Sequence, residues 1–114
     1  MVPPSEPAVL DAASLRQLWA PLFPGLIGIE WVEATPDRVV ATLTVRSELC
    51  TTGEAMHGGA LMAFADTLGA VGTFVSLPLG ARTTTIESST RFIGTARLGT
   101  TLRGECTPSG RKRP

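Results

Sequence analysis

Hydrophobic and polar residues alternate most regularly between residues 38 and 46, which is the period-two pattern of a strand with one buried face. The stretch from 26 to 33 shows the same period, with Ile27, Ile29 and Trp31 on one face. The residues between the two stretches, 35 to 37, are Thr-Pro-Asp, a composition typical of turns. The pattern therefore predicts a β-hairpin.

A short amphipathic helix is predicted before this hairpin. Asp11 is a residue type that favours the N-cap position, and the apolar residues that follow it recur at helical spacing up to Trp19. Pro21 and Pro24 are expected to end the helix. Residues 1–9, which hold three prolines, are interpreted as a loose lead-in.

The longest helical pattern runs from Gly59 to Leu77, where Pro78 and Gly80 are expected to end it. The side chains of Met56 and Met62, near the start of this helix, are expected to pack in the interior. The residues predicted to share its apolar face are Leu61, Phe64, Ala65, Leu68, Gly72 and Val75.

Two further strands are predicted after the long helix. Residues 82–93 are rich in threonine and other β-branched residues, residues 94–99 form a turn, and residues 100–107 form a weaker strand. The order strand-strand-helix-strand-strand predicts an α+β fold in which an antiparallel sheet packs on one long helix. We interpret residues 1–110 as a single domain and residues 111–114 as a basic tail.

The charge balance changes the range of partners to be expected. The chain has 114 residues, with ten basic and ten acidic side chains. Three of the basic residues lie between 111 and 113, so residues 1–110 carry seven basic and ten acidic residues, a net charge of −3. Aromatic residues are scarce and tyrosine is absent. Nucleic-acid binding is therefore not expected.

Signals for targeting, membrane insertion and metal binding are also not recognised. The first residues lack a basic region followed by an apolar one, and the stretch 60–79 is interrupted by Asp66 and two glycines, which predicts that it is too polar to span a membrane. Cys50 and Cys106 form no metal or redox motif, and the chain has a single histidine. We expect a soluble cytoplasmic protein without metal, cofactor or disulfide.

The candidate chemistry lies at the start of the long helix, where His57 is followed by Gly58 and Gly59. Glycines leave backbone N–H groups accessible at the positive end of the helix dipole, an arrangement that suits an oxyanion or a polarised carbonyl. Asp66 is the only charged residue within the helix. Simpler interpretations remain open, because His57 could be a loop residue or helix-start contact and Asp66 could merely face solvent.

Two short motifs together resemble the hotdog-fold acyl-CoA thioesterases, in particular the PaaI-like branch of the phenylacetate-pathway thioesterase. They are His57-Gly58-Gly59 and, at the spacing of that branch, Phe64-Ala65-Asp66. The resemblance extends over about residues 22–107. It implies a hotdog fold, in which an antiparallel sheet wraps around one long central helix. It also implies hydrolysis of an acyl-CoA or aroyl-CoA thioester to the free acid and CoA.

The resemblance further implies roles for individual residues. Asp66 would act as the general base that activates water or as the nucleophile that attacks the thioester carbon. The Gly58 N–H would polarise the carbonyl, and His57 would help to position the thioester. These three are the candidate catalytic residues.

Three more residues are assigned to substrate binding by the same resemblance. Gly59 lies at the helix start, and Thr85 matches a hydroxyl residue that assists the substrate or water. Thr51 stands where the family commonly has an asparagine, six residues before His57. A threonine hydroxyl can still donate a hydrogen bond, but it reaches less far than an amide.

The spacing of His57 and Asp66 predicts an oligomer. Nine residues along a helix correspond to about 13 Å, and at about 100° per residue the two side chains point to nearly opposite sides. A two-fold dimer could bring His57 and Gly58 of one subunit to Asp66 of the other. We therefore expect a homodimer or homotetramer with sites at the subunit interface.

The end of the chain departs from the family pattern. Related domains continue with two more strands, which lie between the strands matching residues 82–93 and 100–107. We expect that these two strands are lacking through truncation and that a gap or a partner chain lies beside strand 82–93. A shorter natural variant is the alternative interpretation.

Two other functions remain open at this stage. A truncated domain could keep the motif without turning over substrate and serve as a binding or structural module. A hydratase or dehydratase of the same fold would need a histidine at the acyl α and β carbons, whereas His57 stands at the start of the helix. Thioester hydrolysis is the function that the sequence favours.

Overall fold

The computed structural model describes residues 11–76, 87–93 and 96–109. Within these residues, four strands are numbered β1 (Glu30–Ala34), β2 (Val39–Thr44), β3 (Glu87–Ile93) and β4 (Thr101–Ser109), and they form one antiparallel sheet in the order β1-β2-β4-β3. A 19-residue helix, α3 (Gly58–Ser76), packs on one face of the sheet. The α+β architecture predicted from the order of the elements is confirmed.

The predicted hairpin is formed by β1 (Glu30–Ala34) and β2 (Val39–Thr44). The register shifts between Trp31 and Glu33, which marks a β-bulge. The apolar residues predicted to share one face of β2 are completely buried; they are Val39, Ala41, Leu43 and, just beyond the strand, Val45.

The segment before the hairpin differs from the prediction. Helix α1 (Ala12–Trp19) is capped by Asp11, whose side chain accepts a hydrogen bond from the Ser14 N–H, as expected of an N-cap. Residues 26–29, however, were predicted as strand. In the structure, Leu26 is the last residue of a short helix, α2 (Phe23–Leu26), and residues 27–29 follow that helix. Pro24 lies in the first turn of α2, where its missing N–H costs nothing, so it helps to begin a helix rather than only ending one.

Arg46 ties the end of α2 to the end of β2. Its Nη1 donates a hydrogen bond to the Ile27 carbonyl at 2.9 Å, and its Nη2 donates to the Leu26 carbonyl at 2.8 Å. Gly28 follows with φ +94°, a conformation that favours glycine. The turn places Ile27 and Ile29 in the core although neither belongs to a strand.

Helix α3 (Gly58–Ser76) covers the sheet with a stripe of apolar side chains at helical spacing, and Phe64, Leu68 and Val71 are completely buried. The helix and β4 approach each other closely. A Cβ on Gly104 would overlap the Leu68 side chain and lie 3.2 Å from Phe64 Cζ, so only glycine fits there without a shift of the side chains that pack against it. The predicted core face of the long helix is confirmed for Phe64 and Leu68. Val71 was not predicted on this face, and Ala65 was predicted on it but is only half-buried and does not join the core.

The two last strands are β3 (Glu87–Ile93) and β4 (Thr101–Ser109). They pair directly, from Glu87 opposite Ser109 to Ile93 opposite Arg103. The expectation of a gap beside β3 is therefore wrong, because β4 occupies that position. The first part of the predicted strand, residues 82–86, lies outside the described residues, as do residues 1–10 and 110–114.

Helix α3 also differs from its prediction in polarity. The stretch Gly58–Val75 has a mean hydropathy of 1.3 and, by length and composition alone, is apolar enough to cross a membrane. The expectation that this stretch is too polar is wrong by that measure, since its leucine, valine, phenylalanine and alanine residues outweigh Asp66 and the glycines in the average. Core helices of soluble proteins meet the same criterion, and α3 packs on the sheet with one face.

Candidate functional site

A loop built from two single 3₁₀ turns, Ser47–Leu49 and Thr52–Glu54, leads to the start of α3. Backbone hydrogen bonds fix it to the segment before β4, because the Met56 N–H donates to the Ala96 carbonyl at 2.9 Å and the Leu98 N–H donates to the Glu54 carbonyl at 2.9 Å. Met56 is buried, as predicted. The loop thereby places the next residue, His57, at a defined position.

The His57 side chain is exposed and caps α3. The Gly59 N–H donates to Nδ1 of the imidazole at 2.7 Å. The His57 carbonyl accepts hydrogen bonds from the Ala60 and Leu61 N–H groups at 3.0 and 3.1 Å, and its own N–H donates to the Leu49 carbonyl at 2.7 Å. His57 is thus an exposed helix-start contact, and its Nε2 has no hydrogen-bond partner among the described residues.

Gly58 differs from its neighbours in the first turn of α3. Its N–H has no hydrogen-bond partner among the residues that the structure describes, whereas those of Gly59, Ala60 and Leu61 are all occupied. A Cβ on Gly58 would meet no atom within 4 Å. A ligand atom can therefore approach this N–H, which lies at the positive end of the helix dipole.

Asp66 lies on the face of α3 that is turned away from the sheet, and its side chain is exposed. It has no hydrogen bond or ion pair to any other described residue. Together with small neighbours it lines an open groove of about 510 Å³. The other residues of this groove are Met62, Ala65, Gly69, Ala70 and Thr73.

The groove contains residues that the sequence interpretation missed. Met62 was expected to pack, but its side chain is 72% exposed, so that expectation is wrong. Gly69 and Thr73 were given no role. Their positions three and seven residues after Asp66 place them on the same helical face, and this spacing is the signal that could have identified them.

The structure brings some predicted site residues together and separates others. His57, Gly58 and Gly59 form one unit at the start of α3, whereas Asp66 lies nine residues further along the same helix, about 13 Å away along its axis. One chain therefore does not join the two groups into one site.

No hydrogen bond among the described residues joins Thr51 to this unit. Thr51 is exposed, and its backbone N–H donates to the Ala55 carbonyl at 2.8 Å. No described residue contacts its hydroxyl group through a hydrogen bond. Thr85 lies outside the described residues. In the described ranges, no three His, Cys, Asp or Glu side chains are grouped as they would be around a metal ion.

Solved structures with the same arrangement of helix and sheet include thioesterases. A thioesterase from Haemophilus influenzae superposes with a TM-score of 0.70 at 22% identity, over 93% of this chain and 73% of that chain. Thioesterase superfamily member 2 from Mus musculus has a TM-score of 0.65 at 14% identity, over 90% and 76%. The Escherichia coli PaaI protein from the phenylacetic acid degradation operon has a TM-score of 0.55 at 19% identity, over 79% and 66%.

These solved structures are at most 22% identical to the chain, so they show that the fold is shared. The family is shown by a match to the sequence. No protein in a search of the curated proteins matches the chain. The profile of the Thioesterase superfamily, however, matches residues 53–113, a range that begins at the loop before His57 and contains α3, β3 and β4. The chain has the hotdog fold and belongs to the Thioesterase superfamily.

Proposed function

We propose that the protein hydrolyses an acyl-CoA or aroyl-CoA thioester to the free acid and CoA. The observation that carries this proposal is the Gly58 N–H, a donor that no described residue occupies, at the start of a 19-residue helix whose one charged side chain, Asp66, is also exposed. Such a donor stabilises the negative charge that develops on a thioester carbonyl oxygen during attack. Membership of the Thioesterase superfamily supports this class of reaction.

Asp66 supplies the base or the nucleophile in the proposed reaction. As a base, its carboxylate takes a proton from water while the water oxygen forms a bond to the carbonyl carbon. The carbon–sulfur bond then breaks, and the leaving thiolate takes up the proton. As a nucleophile, the carboxylate attacks the carbonyl carbon, the carbon–sulfur bond breaks and the CoA thiolate leaves, which gives a transient mixed anhydride. Water then cleaves the anhydride to the free acid and the regenerated Asp66 carboxylate, and the proton released goes to the thiolate. The open groove leaves room for the thioester at this carboxylate.

The proposed site is shared between two subunits. His57 and Gly58 are separated from Asp66 along one helix, so a single thioester cannot reach both groups of one chain. A two-fold axis beside α3 would place the Asp66 of one subunit opposite the helix start of the other. The exposure of Met62 and Phe74, at 72% and 64%, supports a partner against this helix, because large apolar side chains are usually covered.

Thr51 and Thr85 complete the proposal as substrate-binding residues. The Thr51 hydroxyl is exposed and has no partner within the described part of the chain, so it is free to donate to a substrate. Thr85 keeps this role through the family resemblance alone. The PaaI-like branch and the acyl-CoA class are proposed on the same basis, together with the motif His57-Gly58-Gly59.

Hydrolysis of a panel of thioesters tests the proposal. The purified protein would be given acetyl-, medium-chain, long-chain and aromatic acyl-CoA, and free thiol would be measured over time. Acyl-pantetheine and an acylated carrier protein would distinguish recognition of CoA from recognition of the shared pantetheine arm. We expect turnover of at least one acyl-CoA that depends on Asp66. An inactive but dimeric protein would instead indicate a binding module.

A further inference from the structure

The imidazole of His57 makes a hydrogen bond that determines where its proton lies. Nδ1 accepts from the Gly59 N–H at 2.7 Å, a short distance for this type of bond. A ring nitrogen can accept only when it carries no proton, and a neutral imidazole then carries its proton on the other nitrogen. In this geometry the His57 Nε2 is therefore an N–H donor.

Gly59 is the residue on which this arrangement depends. A Cβ at position 59 would lie 3.0 Å from Nδ1 and 3.1 Å from Cε1 of the His57 ring. Such distances are tighter than nine in ten real contacts of a Cβ, so a side chain at this position would require the imidazole to shift by a few tenths of an ångström. Gly59, the second glycine of the motif, thus makes room for the ring. A Cβ on Gly58, the first glycine, would meet no atom within 4 Å.

The hydrogen bond also bears on the role that the sequence assigns to Gly59. The resemblance places Gly59 among the substrate-binding residues, but its N–H is already engaged by His57. Among the described residues, no hydrogen-bond partner occupies the Gly58 N–H or Nε2 of His57. These two groups belong to adjacent residues at the start of α3.

We infer that Gly59 is a positioning residue that fixes His57 in the tautomer with its proton on Nε2, and that this N–H donates to the thioester carbonyl oxygen beside the Gly58 N–H. The inference rests on the proposed function and deepens it. His57 then binds the oxygen as a neutral donor and takes no proton during the reaction. The base and the nucleophile are left to Asp66 and water.

Nitrogen NMR tests the tautomer directly, without any assay of activity. The chain has one histidine, so protein labelled with ¹⁵N-histidine and prepared without a histidine tag gives the spectrum of His57 alone. At a pH where the ring is neutral, we expect Nε2 to show the shift of a protonated nitrogen and Nδ1 that of an acceptor. Equal averaging of the two nitrogens, or a proton on Nδ1, would overturn the inference.

Two variants of His57 separate its capping role from its role as a donor. His57→Asn keeps an oxygen that can accept from the Gly59 N–H, since asparagine is among the best N-cap residues, but it loses the outward N–H. His57→Ala loses both. If His57 is a donor, both variants lose about 10²–10³ in kcat, the usual effect of removing one oxyanion donor. KM should change little, because the interaction strengthens in the transition state.

A purely structural role would give a different result. His57→Asn would then keep the kcat of the parent and only His57→Ala would lose it, together with part of its thermal stability, and the inference would be wrong. Gly59→Ala is the complementary variant: it should shift the tautomer populations seen by NMR and lower kcat while α3 stays folded. If the parent turns over no thioester in the panel, the proposed function fails, yet the NMR spectrum still decides the position of the proton.

Discussion

A Cβ added to Gly72 of α3 would lie 2.9 Å from Sγ of the buried Cys106 in β4. Helix and sheet meet at this point with no space for a methyl group. Gly69, one turn earlier on the same helix, has open space around the corresponding position. The two glycines therefore differ in what they do, although the sequence presents them in the same way.

Alanine substitutions at these two positions should have opposite effects. Gly69→Ala should stabilise the chain by about 0.5–1 kcal/mol, because alanine loses less conformational entropy in a helix. Gly72→Ala gains the same stability from conformational entropy but overpacks the core, which typically costs about 1–3 kcal/mol. Urea unfolding of the two variants measures the difference. Adding Cys106→Ala to Gly72→Ala should recover part of the loss, and no recovery would place the strain elsewhere.

Asp66→Asn should lose hydrolysis without losing the fold. The amide is nearly isosteric but cannot take a proton or attack as an anion, and loss of general-base catalysis typically costs about 10²–10⁴ in rate. The side chain is exposed and has no described partner, so the melting temperature should stay the same. Asp37→Asn, in the hairpin turn, is the matched control and should keep full activity. Equal activity of the two variants would remove Asp66 from the mechanism.

Two inactive variants should complement each other if the site spans two subunits. Mixing His57→Ala with Asp66→Asn and allowing subunit exchange gives hybrid dimers with one doubly altered site and one intact site. Each hybrid dimer should recover up to about half of the parental activity. The readout is thiol release after mixing, compared with each variant alone. A mixture that stays inactive, although exchange is demonstrated, would mean that both groups act within one chain.

Gly58→Ala should impair the site while sparing the fold. The added methyl group meets nothing within 4 Å of the described chain, so unfolding by urea should be unchanged or slightly more difficult. The same methyl group stands where a carbonyl oxygen must approach the N–H. We expect kcat/KM to fall by a factor of about 10 or more, since misplacement of a substrate by 1 Å can cost 10²-fold. An unchanged kcat/KM would show that substrate does not approach there.

Glu105 should make the protein sensitive to acid. The hydrogen bond from Arg103 Nε at 3.0 Å, with the charges of Arg103 and Arg91, lowers the pKa of Glu105. A carboxylate with a lower pKa in the folded state stabilises the fold above its ordinary pKa, and this contribution is lost as the pH falls through the lowered value. Melting temperatures measured across that range should fall for the parent and fall less for Glu105→Gln. Identical pH profiles would contradict this assignment.

The sequence predicts those parts of the structure that depend on local periodicity. The alternation around Val39 and Leu43 predicts β2, and the spacing of Phe64 and Leu68 predicts the buried face of α3, because each pattern has one periodicity that buries its apolar residues. The role of Pro24 was harder to predict, since proline both ends helices and begins them. The sequence-derived expectation of a gap beside β3 was wrong, because nothing local along the chain reports which strands pair.

The candidate site, too, can be predicted from the sequence only in part. The motif at His57 and the isolated charge of Asp66 are visible in the sequence, and so is their separation along one helix. The hydrogen bond from the Gly59 N–H to the imidazole is not visible there, because it depends on the rotamer of one side chain and on the path of the preceding loop. The exposure of Met62 likewise depends on which face of α3 the sheet covers.

The contact of Arg46 with the Leu26 and Ile27 carbonyls has a consequence for how the molecule opens. Two hydrogen bonds from one guanidinium join the end of α2 to the end of β2, so these two segments cannot separate unless both hydrogen bonds break together. Segments tied in this way open as one cooperative unit in native-state hydrogen exchange. The amides of Ile27 and Val45 should therefore share one opening free energy, although 17 residues of chain lie between their positions in the sequence.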